Sequence, residues 1–202
     1  MAASTVTKKT AMSGDVFSGI SALYAVKGGF TVSNGAVDLS ADINLVELPV
    51  SESGGVSING GTPSNSIFRV HGLNAPWTSR MTPGDAEVTL QVPTYNDTVL
   101  DLLYGEDTGT SLSITMPTGA KVNDETTLTG KSFGFPEKAV NLGLLIINDT
   151  EDKALFIKKV KVMASPQFDG EDTPFVVNLT GTVASGADKD AIAILEPGDG
   201  SN

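Results

Sequence analysis

The sequence predicts a mainly β fold, a β sandwich or barrel with one short flanking helix at about 94–104. Apolar and polar residues alternate in several segments, and Gly-, Pro- and Asn-containing turn signals separate these segments. One stretch departs from this pattern and has helical spacing instead. The chain has 202 residues, so it can bury a core without covalent links. We therefore expect a single domain over residues 1–202.

Alternation is clearest in "AEVTLQVP", where every second residue over Val88–Val92 is apolar. A strand with this period places its apolar residues on one face of a sheet. In "ALFIKKVKVMA" the same reasoning predicts Phe156, Val160 and Val162 on one face. The stretch "VNLGLLIIND" is apolar on both faces at Leu144–Ile147, so we expect this strand to be covered on both sides.

The helix is predicted in "TYNDTVLDLLYG", at the point where Pro93 closes a strand. Tyr95, Val99, Leu102 and Leu103 fall at i, i+4, i+7 and i+8 and form one apolar stripe. Thr94 is predicted to cap the first turn. A helix with one apolar stripe is expected to cover part of the sheet core.

Three further segments are predicted to lie outside the regular strands. Residues 47–65 are rich in Gly, Ser and Asn and predict a long inserted loop. Residues 1–14 and 187–202 predict extended terminal arms, the second with a short apolar segment. Scattered aliphatic residues in such segments indicate that they order against a partner.

The sequence contains no convincing site for catalysis, metal or cofactor. It has no cysteine, which excludes disulfides and thiolate zinc sites, and His71 is its one histidine. No phosphate loop, serine elbow or nucleotide-binding glycine pattern is present. The acidic stretch 169–172 lacks the ligand spacing of an EF-hand calcium loop. We therefore predict no catalytic, metal-binding or cofactor-binding residue, and no cofactor.

The net charge of −11 disfavours sequence-specific nucleic-acid binding, because the phosphate backbone is also negative. No apolar run approaches the roughly 20 residues of a membrane-spanning helix, and the N-terminal sequence has no apolar signal region. We therefore expect no membrane insertion by this chain.

The order of features resembles the major tail tube protein of long-tailed phages. The strand–Pro–helix piece containing "VLDLLYG" and the late hairpin that ends in "LTGTV" carry the resemblance, which covers roughly residues 85–184. The type VI secretion tube protein is related to the same group. The resemblance implies hexameric rings that stack into the tube of a virion, a channel through which DNA passes without specific binding.

Contact residues and partners follow from the same resemblance. The loop 47–65 and both arms would make the contacts between rings, and partners would be copies of the chain itself, a tape measure protein, and tail initiator and terminator proteins. The candidate inter-subunit contact residues are Val50, Glu52, Val56, Ile58, Ile192, Ile194 and Leu195.

Two other classes of function stay open on the sequence alone. A β-sandwich binding module, such as a phage decoration protein or a carbohydrate-binding protein, would be a stable monomer or small oligomer with an exposed aromatic patch. A hydrolase would need a pocket with closely spaced carboxylates of shifted pKa. The chain has one tryptophan and three tyrosines, which gives few platforms for stacking on sugars.

Overall fold

In a computed structural model, the described residues of the chain form one antiparallel sheet of eight strands, two separate two-stranded ribbons and one helix. The structure describes residues 17, 19–33, 36–37, 39, 45–50, 55–69, 71, 78–94, 96–104, 110–132, 139–170, 174–183 and 191–197. The elements within these residues are β1 (Ala22–Lys27), β2 (Leu45–Leu48), β3 (Val56–Asn59), β4 (Ser64–Phe68), β5 (Thr78–Thr82), β6 (Glu87–Pro93), α1 (Asp97–Tyr104), β7 (Thr110–Thr115), β8 (Thr127–Ser132), β9 (Val140–Ile147), β10 (Ala154–Gln167), β11 (Val176–Val183) and β12 (Ile192–Leu195).

The main sheet has the strand order β2-β1-β9-β10-β11-β6-β3, and every pairing is antiparallel. Strand β12 pairs with the first four residues of β10, on the side opposite β9. Strand β11 pairs with the rest of β10 on that same side. Thus β11 and β12 lie end to end along one long strand. The fold is mainly β with one short helix, as the sequence predicted.

A β-bulge interrupts β10 between Ile157 and Val160. One extra residue in a strand reverses which face the following side chains occupy. Ile157, Val160 and Val162 therefore all belong to the main core, whereas Phe156 packs on the opposite face. The expectation that Phe156 shares a face with Val160 and Val162 is wrong, because that expectation assumed unbroken alternation.

The main core lies on one face of the sheet, which curls over it as in a β sandwich. The buried alternation predicted for β6 is confirmed, with Val88, Leu90 and Val92 at most 1% exposed. The two ends of the sheet, β2 and β3, both contribute to this core through Val46 and Val56. Its buried members are Leu23, Ala25, Leu48, Val88, Leu90, Val92, Val99, Leu100, Leu102, Leu103, Tyr104, Leu142, Leu144, Ile146, Ile157, Val160, Val162, Ala164, Val177, Leu179 and Val183.

Helix α1 closes this core with five buried side chains, Val99, Leu100 and Leu102–Tyr104. Each buried aliphatic side chain of this size contributes about 1.5–3 kcal/mol. The cap differs from the prediction. The Asn96 side-chain oxygen accepts a hydrogen bond from the Thr98 amide at 2.9 Å, so Asn96 is the N-cap. The Thr94 hydroxyl instead accepts from the Asn96 amide and shapes the turn before the helix.

A second, smaller core lies on the outer face of the sheet and contains Val26, Phe30 and Phe156. The rings of Phe30 and Phe156 are 4.9 Å apart between centroids. Gly143 permits this packing, because a Cβ at that position would lie 2.5 Å from the Phe30 ring. Leu145 packs against this cluster while Leu144 is in the main core. This confirms that β9 is covered on both faces.

The segment 47–65 is only partly a loop. It contains β3, which pairs with β6, and the first residues of β4. Residues 51–54 lie outside the described part of the chain. The glycine and serine content of this segment predicted a loop. Val56 and Ile58, which are two residues apart, nevertheless both pack on the main core and hold a strand there. The expected arm at 1–14 lies outside the described residues, and within 187–202 residues 191–197 are described.

The turn between β9 and β10 is organised by Asn148, which is 1% exposed. Its amide nitrogen donates to the Thr150 hydroxyl and to the Asp152 carboxylate, each at 2.6 Å. Its side-chain oxygen accepts from the Lys153 amide at 2.9 Å. Hydrogen bonds from Thr150 and Asn148 to the carboxylate lower the pKa of Asp152.

Truncating a helix leucine tests the role of α1 in the core. Leu103 is 0% exposed, so Leu103→Ala should lower the free energy of unfolding by about 2–5 kcal/mol. Leu112→Ala is a matched control, because Leu112 is 47% exposed and its loss should change stability by less than about 0.5 kcal/mol. Guanidinium denaturation measures both. Equal losses would mean that α1 does not close the core.

Substituting Asn148→Asp tests the turn between β9 and β10. It removes the side-chain donor and places a second carboxylate beside Asp152. Because position 148 is buried, we expect the free energy of unfolding at pH 7 to fall by about 1–3 kcal/mol. Because the pKa of Asp152 is lowered in the fold, its contribution is present above its ordinary pKa and is lost as pH falls through the folded value. The deficit of the variant should therefore shrink as pH falls below the ordinary pKa of 3.8, toward about pH 3.

The matched control for this substitution is Asn123→Asp. Asn123 lies in an exposed turn, and the same chemical change there should alter the free energy of unfolding by less than about 0.5 kcal/mol. Thermal melts at pH 7 and at about pH 3 measure both variants. A deficit for Asn148→Asp that is independent of pH would exclude carboxylate repulsion as its cause.

Candidate assembly surfaces

One long hairpin projects from the main sheet. Strand β3 pairs with β6, and β4 pairs with β5. Both pairs keep the same register, because the two residue numbers of every pair add up to 146. The two halves meet at a bend where Gly61 has a φ of 73°. A Cβ there would lie 2.3 Å from the Asp85 carbonyl oxygen, so this close approach requires glycine. The inner half joins the sheet, and the outer half forms the β4–β5 ribbon.

All residues of the β4–β5 ribbon are exposed. Ile67 and Met81 lie on one face, because Ile67 pairs with Ser79 and Met81 pairs with Asn65. Phe68 lies on the other face, and its side chain is 63% exposed. The ribbon thus carries apolar side chains that nothing in the described part of the chain buries.

The β7–β8 ribbon follows α1 and is also exposed along its whole length. Leu112, Ile114 and Leu128 share one face, since Ile114 pairs with Leu128 and Leu112 pairs with Gly130. The opposite face carries Ser and Thr side chains together with Lys131. The Lys131 ammonium donates to the Asp101 carboxylate of α1 at 2.6 Å. This hydrogen bond raises the pKa of Lys131 and links the polar face of the ribbon to the helix.

Both ribbons lack the support that a β structure normally needs. A two-stranded ribbon without a packed face is marginally stable in water, whereas a third strand or a covering layer stabilises it. Each ribbon also leaves two strand edges whose backbone groups can pair with another strand. The ribbons therefore have the properties of surfaces that become ordered by a partner.

The charge on the ribbons differs from that of the whole chain. The chain carries 24 Asp and Glu residues against 13 Lys and Arg residues. None of the residues of β4, β5, β7 or β8 is Asp or Glu, and the two charged residues on them are Arg80 and Lys131. When two copies of an acidic chain come into contact, the electrostatic repulsion between them is smallest at surfaces without carboxylates.

The C-terminal contact residues predicted from the sequence lie together on β12. Ile192, Ile194 and Leu195 are 42%, 63% and 46% exposed. They belong to a four-residue strand whose one described partner is β10. An exposed apolar edge strand is a template for pairing with another chain, so β12 is a third candidate contact surface.

The contact residues predicted in 47–65 lie elsewhere. Val56 and Ile58 are on β3, at one end of the main sheet, and both pack partly against the main core, as does Val50. Glu52 lies outside the described residues. The structure thus does not bring the two predicted groups together. At β3 the surface open to a partner is the strand edge rather than the valine and isoleucine side chains.

The described part of the chain contains no group of three or more His, Asp or Glu side chains that could hold a metal ion. His71 is exposed, at a turn beyond the β4–β5 ribbon. Burial raises the pKa of Tyr104, which lies in the helix that closes the core. No described helix is long and apolar enough to span a membrane.

The sequence signal for the ribbons was weak, because Ser and Thr dominate them and their apolar residues are few. Among known proteins, no family model matches the chain and no curated protein matches it. The functional argument therefore depends on the surfaces described above.

Hydrogen–deuterium exchange tests whether the ribbons are marginal in the isolated chain. Strands β5 and β6 belong to the same side of one hairpin, but β6 lies between β3 and β11 whereas β5 has one partner. We expect β5 amides to exchange at least about 100-fold faster than β6 amides, because local opening of exposed elements requires less free energy. Equal protection would show that the ribbon is stable without a partner.

Proposed function

We propose that the chain is a structural subunit that associates with copies of itself into rings, and that these rings stack to form the tube of a phage tail. The hexameric ring, the tube and the location in a virion are the parts of this proposal that come from the sequence resemblance. The surfaces described above supply the physical means by which copies can join.

The observation that carries the proposal is the pair of exposed ribbons without carboxylates. Four strands in the two ribbons leave apolar faces and free edges in water. A monomeric protein gains nothing from such ribbons, whereas an assembly can pair their edges and bury their apolar faces. Absence of Asp and Glu from these strands lowers the local repulsion at the contact between copies that each carry a net charge of −11.

The contacts are proposed to be heterologous, with different surfaces of two copies meeting. Contacts of this kind close into rings when the rotation permits and continue as open filaments when it does not. The ribbons lie on a different part of the fold from β12, which pairs with the first residues of β10. A stack of rings needs one surface for the contacts within a ring and another for the contacts between rings. The ribbons and β12 are two such separate surfaces.

The remaining partners follow from the tube itself. A tape measure protein would set its length, and initiator and terminator proteins would bound it. DNA would pass through the channel without specific binding, consistent with the net negative charge of the chain. Before assembly the subunit would reside in the host cytoplasm.

Substitutions on the two faces of β7 test the ribbon contact. Ile114→Gln should abolish assembly, because it places a polar amide on the apolar face. Ser113→Gln introduces the same side chain at the adjacent residue, on the opposite face, and should assemble as the unmodified chain does. Both residues are exposed, so neither substitution should change the melting temperature by more than about 2 °C. Assembly of Ile114→Gln would exclude this face as a contact.

Negative-stain electron microscopy and light scattering on concentrated protein measure the assembly directly. Hollow rings or tubes are the expected result, and a salt concentration of about 0.5 M should favour them by screening the like charges. A strict monomer at every concentration and salt level would instead favour the binding module that the sequence left open, and a screen against glycans and capsid proteins would follow.

A further inference from the structure

An apolar groove lies on the outer face of the main sheet, between β12 and the chain that follows β1. Its volume is about 400 Å³, a size typical of sites that receive side chains or small ligands. Leu145, Phe156 and Ala193 pair directly across three strands and form its floor. Its lining residues are Phe30, Val32, Val37, Leu39, Leu145, Ala154, Phe156, Ile192, Ala193 and Leu195. All of them are apolar, so the groove favours an apolar occupant.

One end of this groove has an acidic rim of three carboxylates, those of Glu151, Asp152 and Glu196. The rim is continuous with the groove, because Ala154 and Leu195 border both. The Lys153 ammonium lies 3.4 Å from the Glu196 carboxylate and offsets one of the three negative charges. The rim therefore keeps a net negative charge, which attracts a cation that approaches the groove from this end.

One face of the β4–β5 ribbon has the complementary composition. Phe68 and Arg80 lie on it at diagonal positions, because Phe68 pairs with Thr78 and Arg80 pairs with Ser66. The Phe68 side chain is 63% exposed, and Arg80 forms no ion pair with any described residue. The ribbon therefore presents an aromatic ring and a guanidinium to the same side.

The spacing of these two groups matches the spacing of the groove and its rim. Diagonal neighbours in a ribbon have Cα atoms roughly 7–8 Å apart, and the long arginine stem carries the guanidinium farther. Glu196 follows Ala193 by three residues, or roughly 10 Å of extended chain. A phenylalanine ring over the groove floor thus leaves the guanidinium within reach of the Glu196 carboxylate.

The charge of the ribbon favours this contact over others on an acidic chain. Neither β4 nor β5 contains Asp or Glu, so nothing on these strands repels the carboxylates of the rim. Arg69, which is exposed, directly follows β4. The end of the ribbon is therefore positive in a chain whose net charge is −11, and a second copy of the chain carries both complementary surfaces.

We propose that the outer groove receives the β4–β5 ribbon of a second copy of the chain. Phe68 of the ribbon packs on the rings of Phe30 and Phe156, and Arg80 pairs with the carboxylates of the rim. Because ribbon and groove are different surfaces, the contact is heterologous and continues from copy to copy. This inference rests on the proposed self-association and adds to it the surface that the ribbon meets.

Cross-linking between two single-cysteine chains tests the contact, since the chain itself has no cysteine. Thr78→Cys lies beside Phe68 on the contact face, and Leu39→Cys lies at the groove. An isotope label on one chain identifies the mixed disulfide by mass spectrometry. Ser79→Cys is the matched control, because Ser79 is the adjacent exposed residue on the opposite face. With oxidised glutathione, Thr78→Cys should form the mixed disulfide with Leu39→Cys at least about 10-fold faster than Ser79→Cys does.

Charge reversal tests the role of the rim in the same assay. Arg80→Glu in the Thr78→Cys chain should slow the mixed disulfide toward the rate of the control, and Glu151→Arg in the Leu39→Cys chain should restore it. Glu196→Arg serves the same purpose if Glu151→Arg disturbs folding. Positions 80, 151 and 196 are exposed, so none of these changes should shift the melting temperature by more than about 2 °C.

Light scattering on the same chains separates this inference from the proposed function. If the chains associate but Thr78→Cys and Ser79→Cys react at equal rates, the groove contact is wrong and self-association stands. A strict monomer at every concentration overturns both. One chain that carries Thr78→Cys and Leu39→Cys together provides a further check. Its closure into an intrachain disulfide at high dilution would overturn the proposal, because the groove would then hold the ribbon of its own chain.

Discussion

The bulge in β10 is the constraint on which the rest of the fold depends. It allows one strand of 14 residues to supply side chains to two cores on opposite faces of the sheet. Before the bulge Phe156 faces the outer groove, and after it Val160 and Val162 face the main core. The same strand pairs with β9 on one side and with both β11 and β12 on the other. Without this reversal, Phe156 could not pack in the outer core while Val160 and Val162 pack in the main core.

The sequence predicted the parts of the fold that follow from local periodicity. The alternation in β6 and the stripe on α1 each required one face to be buried, and the structure buries the predicted residues of β6 together with Val99, Leu102 and Leu103 of α1. Tyr95, the fourth residue of the predicted stripe, lies outside the described residues. The cap and the bulge were not predictable in the same way. Thr94 and Asn96 are both competent caps, and the choice depends on where the chain leaves β6. A bulge cannot be recognised in a sequence such as "LFIKKV". With or without the extra residue, apolar side chains from this stretch would lie on one face of the sheet.

The candidate surfaces were harder to predict than the core. Burial imposes a pattern on a sequence, whereas a strand that is exposed until a partner arrives needs none. This explains why β5 and β8 carried no recognisable signal, while β12 was detected through its isoleucines. The loop 47–65 shows the converse case, since its glycines suggested a segment without strands although Val56 and Ile58 anchor one. The sequence identified the residues at β12 and β3 but could not place them on separate parts of the sheet.

Under the proposed function, charge and exposure together would distinguish this chain from an acidic domain that stays monomeric. An acidic domain that stays monomeric distributes its carboxylates over the whole surface, because they keep copies apart. Here the strands with the least internal support carry no carboxylate. Repulsion between carboxylates elsewhere on the surface would then disfavour other contacts between copies, and contacts through the ribbons would be disfavoured least. Under the proposed function, selectivity of association would be achieved in this way without a strongly attractive interface.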